Sequence, residues 1–201
     1  VMRDAVLAIE DARFYDHGGV DYKGILRAIR ANLADARGQG ASTITMQVAR
    51  NFYLSTEKTL TRKVYEVLLT WKIESLLTKD QILEAYMNQI FLGQRAYGFA
   101  AASDIYFGKP LKDVTVAEAA MLAGLPKGPS IYNPIVNPKR ATARQQYIID
   151  RMLDNRFITA EQAAAARTEK LRYKSQSEVA VHAEFVAEAA RQLVFAQYGD
   201  E

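Results

Sequence analysis

Arg62-Lys63-Val64-Tyr65-Glu66-Val67-Leu68-Leu69-Thr70-Trp71-Lys72-Ile73-Glu74-Ser75-Leu76-Leu77 decides the class of fold. At 3.6 residues per turn its apolar residues fall on two sides, Val64, Val67, Leu68 and Trp71 on one and Leu69, Ile73, Leu76 and Leu77 on the other. A helix apolar on two sides is expected at the centre of a helical protein. Glu66 lies on the second side, one turn from Arg62. A carboxylate there is expected to be buried and either paired or shifted in its proton affinity, whereas a surface i, i+4 pair would contribute only about 0.2 to 0.5 kcal/mol.

Outward from this segment the helix signals continue. Thr78-Lys79-Asp80-Gln81, Thr115-Val116-Ala117-Glu118 and Thr159-Ala160-Glu161-Gln162 each match the pattern in which a threonine and the third residue beyond it cap a helix start reciprocally. Gly93 and Gly124-Leu125-Pro126 supply stops for the first two. Asn137-Pro138 opens a further helix whose apolar stripe is Ile148, Ile149, Met152 and Leu153. Ile25, Ile29 and Leu33 mark another, followed by a loop through Gly38-Gln39-Gly40. Only Glu178 to Phe185 alternates like a strand. The fold class expected is therefore mostly α.

The 201 residues, 49% of them hydrophobic with a net charge of +3 and no cysteine, exclude a disulfide-stapled mini-protein, a cysteine-ligated zinc site and a wholly disordered chain. No stretch reaches the roughly 18 to 20 apolar residues of a membrane span, and Val1-Met2-Arg3-Asp4 does not read as a secretory signal. The chain opens directly on helical periodicity, as a segment of a longer polypeptide would.

Two constellations carry chemistry. In the first helix Val6, Glu10 and Phe14 share a face at i, i+4 and i+8, which sets a carboxylate in an apolar stripe beside Ile9. Burial there would raise its pKa and prepare a general acid or base; the competing reading is a glutamate at the edge of the stripe reaching solvent. Asp11, Asp16 and His17 follow, and Gly18-Gly19 permits a sharp exit. A lone histidine such as His17 is more often a hydrogen-bonded structural group than a metal ligand, and His182 is a poor partner for it.

In the second constellation Thr43, Gln47 and Arg50 occupy one helix face, Ile44 and Val48 another. This polar stripe starts at a helix N-terminus behind a glycine loop, where free amides, the Ser42 and Thr43 hydroxyls and a guanidinium would suit a phosphate or pyrophosphate. A solvated face with Ser42 as its cap is the alternative.

Taken in order, five blocks resemble the peptidoglycan glycosyltransferase domain, glycosyltransferase family 51. They are Glu10 to Gly19, Gly40 to Gln47, Arg62 to Glu66, Lys79 to Asn88 with Gly93, and Ala123 to Pro134. The similarity covers about residues 1 to 155 and is greatest to the module of bifunctional class A penicillin-binding proteins. Arg50 stands where many members carry lysine, which keeps the charge and alters its geometry.

The resemblance implies a mostly helical, lysozyme-like domain of two lobes over residues 1–166, with 167–201 leading toward a transpeptidase domain. It implies polymerisation of lipid II with inversion and release of undecaprenyl pyrophosphate, Glu10 acting as general base and Glu66 as the second motif carboxylate. Asp11, His17, Ser42, Thr43, Gln47, Arg50, Arg62, Lys63, Asn88 and Lys127 are the implied substrate-binding set. The implied partners are lipid II, the growing glycan, a membrane surface on the periplasmic side and moenomycin-type inhibitors, with no nucleic acid; magnesium beside the pyrophosphate is compatible with such chemistry. The nearest rival is an enzyme that cleaves glycan, which would need an acid to protonate a glycosidic oxygen and no pyrophosphate cradle. A non-catalytic basic module at a membrane surface is the other.

Overall fold

The computed structural model describes residues 1–26, 42–53 and 60–174. Among them the chain forms eight α-helices with assigned boundaries. These are α1 (Met2–Glu10), α2 (Ile44–Tyr53), α3 (Leu60–Leu76), α4 (Lys79–Gln89), α5 (Phe99–Phe107), α6 (Val116–Ala123), α7 (Pro138–Asp154) and α8 (Ala160–Thr168). Short 3₁₀ turns occupy Phe14–Asp16 and Leu111–Asp113. The described residues contain no strand, only an antiparallel bridge between Phe91 and Tyr97. Ile29, Leu33, Gly38 to Gly40, His182 and the alternating segment Glu178 to Phe185 lie outside the described residues. Val1–Leu171 make one compact unit and Arg172–Glu201 a second.

All three threonine caps form as expected. Thr78, Thr115 and Thr159 each accept from the backbone amide three residues on, and the Gln or Glu there reaches back to the cap amide. Pro138 takes the first position of α7, whose Ile148, Ile149 and Met152 are fully buried. In the first unit α1 packs on α6 and α7, with α8 behind them, while α2 packs on α3 and α4. Val6 and Phe14 are both fully buried, so the stripe that carries Glu10 is a core stripe.

The expectation for α3 needs correction. Its covered line is Glu66, Thr70 and Ile73, whereas Val64, Leu68, Trp71 and Leu76 are 59%, 50%, 47% and 66% exposed. The side of Val64, Leu68 and Trp71 faces out, and the other is covered only at its middle, where Ile73 is buried while Leu76 and Leu77 are exposed. Periodicity counts apolar residues around a helix, but the number of sides that find neighbours depends on where the other helices lie.

Phe14 anchors a small electrostatic knot. Lys79 Nζ stands 4.4 Å from its ring centre and donates to Glu74 Oε1 at 2.8 Å, which also accepts from Thr45 Oγ1 at 2.5 Å. One carboxylate thus links α2, α3 and α4.

Gly98, which precedes α5, has φ +80, and a Cβ there would lie 2.5 Å from the backbone oxygen of Asn88. Both strain and clash oppose any side chain. Gly98→Ala is expected to destabilise the chain by about 1–3 kcal/mol, read as a lowered urea midpoint with an unchanged slope; an unchanged midpoint would contradict this geometry.

Candidate active site

The first helix ends on its carboxylate. Glu10 is the last residue of α1, and Asp11 caps it with φ −161 and ψ 77, turning the chain toward α2. Glu10 Oε2 accepts from Gln47 Nε2 of α2 at 2.7 Å. Burial raises the Glu10 pKa above the usual carboxylate value of 4.5; the Gln47 hydrogen bond, then the charges of Arg144 and Lys127, oppose that rise, and Asp11 adds to it. Tyr86 of α4, itself buried with an unpartnered hydroxyl, lies within the field of the same carboxylate. Glu10 is half-buried, sheltered at its Gln47 bond without being closed off from solvent.

The stripe of Thr43, Gln47 and Arg50, at the cap and along α2, engages three different partners. Thr43 Oγ1 donates to the Gly19 carbonyl at 2.5 Å, Gln47 holds Glu10, and Arg50 reaches Glu66. One helix therefore carries both carboxylate contacts, from positions i and i+3.

Glu66 is fully buried. Arg50 grips it with two bonds, Nε to Oε2 at 3.2 Å and Nη2 to Oε1 at 3.0 Å, and Lys63 Nζ adds a third at 2.5 Å. Desolvation would raise its pKa, but the bonds and charges of Arg50 and Lys63 outweigh it and hold the carboxyl below the ordinary value. Burial was legible in the sequence; the partners were not. Lys63 reaches Glu66 from the same helix and Arg50 from another, because the packing of α3 on α2 brings a guanidinium straight to the carboxylate. Arg50 Nη2 also donates to Ser42 Oγ at 3.2 Å.

The start of α2 departs from expectation in a second way. Thr43, not Ser42, is the cap, accepting from the Met46 amide at 3.2 Å. The Ile44 amide is taken by Asp11 Oδ2 at 3.3 Å. Asp11 in turn accepts from His17 Nε2, with both oxygens 3.0 Å away. Two of the amides that could have met a phosphate, those of Ile44 and Met46, are thus occupied by protein groups, which shifts more of any anion binding to side chains. Asp11 and His17 brace the helix start, a structural link between α1 and α2.

Lys127, in the turn after α6, is exposed and acts electrostatically on Glu10. Asn88 is not brought to this group. It lies exposed on α4 in a separate cleft of about 320 Å³ with Arg3, Asp80, Leu83, Glu84, Met87 and Leu111, roughly opposite Tyr86 around the helix. Among the described residues no group of three or more His, Asp and Glu side chains could hold a metal ion.

Sequence reasoning missed Arg144. A signal existed: Arg144, Ile148 and Met152 fall at i, i+4 and i+8, so a cation sits on the core stripe of α7 just as Glu10 sits on that of α1.

A family model described as Transglycosylase matches residues 1–153. Penicillin-binding protein 1A of Neisseria meningitidis serogroup B is 57% identical over the whole chain, and that of Neisseria lactamica 56%; the chain spans 25% of each. A Cupriavidus necator protein described as a transglycosylase is 62% identical over 85% of the chain and 74% of its own length. Among solved structures, penicillin-binding protein 1A from Haemophilus influenzae matches 79% of the chain and 20% of its own, with a TM-score of 0.53 at 34% identity.

Proposed function

The chain belongs to the transglycosylase family, and from that membership we propose that it is a peptidoglycan glycosyltransferase unit that polymerises lipid II into glycan strands. The observation that carries this reading is the desolvated Glu10 carboxylate, held by Gln47 on the same helix that presents Arg50 to Glu66.

The mechanism follows from those placements. Glu10 accepts the proton of the acceptor sugar's 4-hydroxyl as that oxygen attacks the anomeric carbon of the lipid-linked donor. The bond to the pyrophosphate oxygen breaks, the configuration inverts, and undecaprenyl pyrophosphate departs. A diphosphate ester leaves as an anion and needs cationic stabilisation more than a proton, so one carboxylate base suffices. Lys127 and Arg50, with Lys63, supply that charge. Glu66 acts as their orienting counter-ion, because its carboxylate is already committed to Arg50 and Lys63 and cannot also act as a base without breaking both.

The uncovered face of α3, with Val64, Tyr65, Leu68, Trp71 and Leu76, suits contact with a lipid surface from which lipid II is drawn. No helix among the described residues is long and apolar enough to cross a membrane. Residues 167–201 lead toward a transpeptidase domain in this reading, and the site works on the periplasmic side.

Purified chain supplied with lipid II in detergent should yield polymer and undecaprenyl pyrophosphate; release of sugars from preformed glycan instead would replace synthesis with cleavage. Moenomycin offers a sharper probe of the cationic side. Lys127→Ala is expected to weaken its binding about tenfold, the effect of losing one charge-assisted contact of about 1.4 kcal/mol, and unchanged affinity would remove Lys127 from the anion site.

A further inference from the structure

The stripes of α1 and α7 pack against one another, and each contains one charged residue among core side chains: Glu10 in the first, Arg144 in the second. Several contacts fix Arg144. Its guanidinium lies 5.4 Å from the ring centre of Tyr147, one turn along α7, and 5.8 Å from that of Tyr132. The backbone of Tyr132 is set by the turn at Gly128, whose carbonyl accepts its amide at 2.9 Å. The stem of Arg144 runs over the bare surface of Gly124, where a Cβ would stand 3.0 Å from Arg144 Cγ. The next residue, Gln145, locks the helix in register by donating to the Ala117 carbonyl at 2.9 Å. Arg144 Nε is buried and has no hydrogen-bond partner.

Among the described residues the guanidinium has no carboxylate in ion-pair contact, unlike Arg50 and Lys63, which share Glu66. We propose that Arg144 is a positioning residue for catalysis: a clamped, permanent cation on the helix that packs against α1, whose charge favours the ionised form of the Glu10 base while Gln47 fixes its orientation. The inference rests on Glu10 being the base.

The other groups facing Glu10 cannot replace this role. Gln47 from α2 and Tyr86 from α4 are neutral, Asp11 is a like charge, and Lys127 from the turn after α6 is exposed, where solvent and salt screen it. The guanidinium stays charged at every pH at which the enzyme works. With Arg144 present, the Glu10 pKa is raised by burial and partly restored by that charge; without it the rise is unopposed from that side.

The test is the pH profile of lipid II polymerisation by the purified chain, with Arg144→Gln, Arg144→Lys and Glu10→Gln beside the wild type. A base must be deprotonated to work, so loss of the cation should move the acid limb of kcat/KM upward. Arg144→Gln is expected to shift it by about 1 pH unit, costing about tenfold on the limb and recovering at high pH, with KM for lipid II within about twofold. Arg144→Lys should hold the limb within about half a unit of wild type, since the charge survives. An unmoved limb, or a pH-independent loss carried by a rising KM, would overturn the assignment and mark Arg144 as a scaffold or substrate contact. If Glu10→Gln polymerises normally, the base reading and this inference fall together; if it is inactive while the Arg144→Gln limb stays put, only this inference falls.

Discussion

Glu10→Gln is expected to lower lipid II polymerisation by about 10² to 10⁴-fold, the usual range for a lost general base, while the chain stays folded. The amide preserves the side chain's shape and can still bond Gln47 by rotating its own carbonyl oxygen toward Nε2, so packing around Val6 and Phe14 should be intact. Only the proton acceptor is removed. Because burial holds the Glu10 pKa above 4.5, removing its charge relieves a desolvation penalty in the folded state. The sign is definite: a raised carboxylate pKa costs stability above the unfolded value, so the glutamine variant should be at least as stable as wild type at neutral pH. Thermal unfolding and polymer yield from the same preparation check both halves. Full activity, or a lowered Tm that alone accounts for the loss, would remove Glu10 from the chemistry.

Arg50→Ala is expected to have the largest structural effect. It strips two of the three bonds from a carboxylate with no solvent access. Removing a partner from a fully buried pair costs about 3–5 kcal/mol. Arg50 is itself 38% exposed and Lys63 remains, so the expected loss here is about 1–3 kcal/mol, or roughly 3–10 °C in Tm for a chain of this size. The pH dependence gives the sharper check. Glu66 has a folded pKa below its unfolded value, so its pairing contributes stability above the unfolded pKa and loses it as pH falls through the folded one. The gap between wild type and Arg50→Ala should thus be widest near neutral pH and shrink under acid. An equal gap at pH 7 and pH 3 would mean that the interaction is not ionic. Arg50→Lys should recover only part of the loss, since an ammonium cannot form both bonds.

These predictions separate two carboxylates that look alike in sequence. Glu10 and Glu66 are each a glutamate in an apolar helical stripe; for Glu66 the stripe indicates burial, while for Glu10 it leaves a sheltered base and a solvated edge residue both open. One has its proton affinity raised and the other lowered. The difference comes from neighbours brought by other helices: a neutral amide and more distant cations for Glu10, two directly bonded cations for Glu66.

The features legible in the sequence are local patterns or ordered motifs, read without knowing which segments meet in space. The three threonine caps, the proline at the start of α7, the core stripe through Val6 and Phe14, and the five blocks of the family all belong to this class, and they settle a mostly helical fold and its family. The tertiary structure decided how far each apolar side of α3 is covered, that Arg50 reaches Glu66, that Asp11 and Thr43 take two amides at the start of α2, and that the charge of Arg144 acts on Glu10. Each of these depends on segments far apart in the chain. A helix's periodicity states what it could bury, but the partner that arrives is chosen by packing, and charge in a desolvated place takes its meaning from that partner.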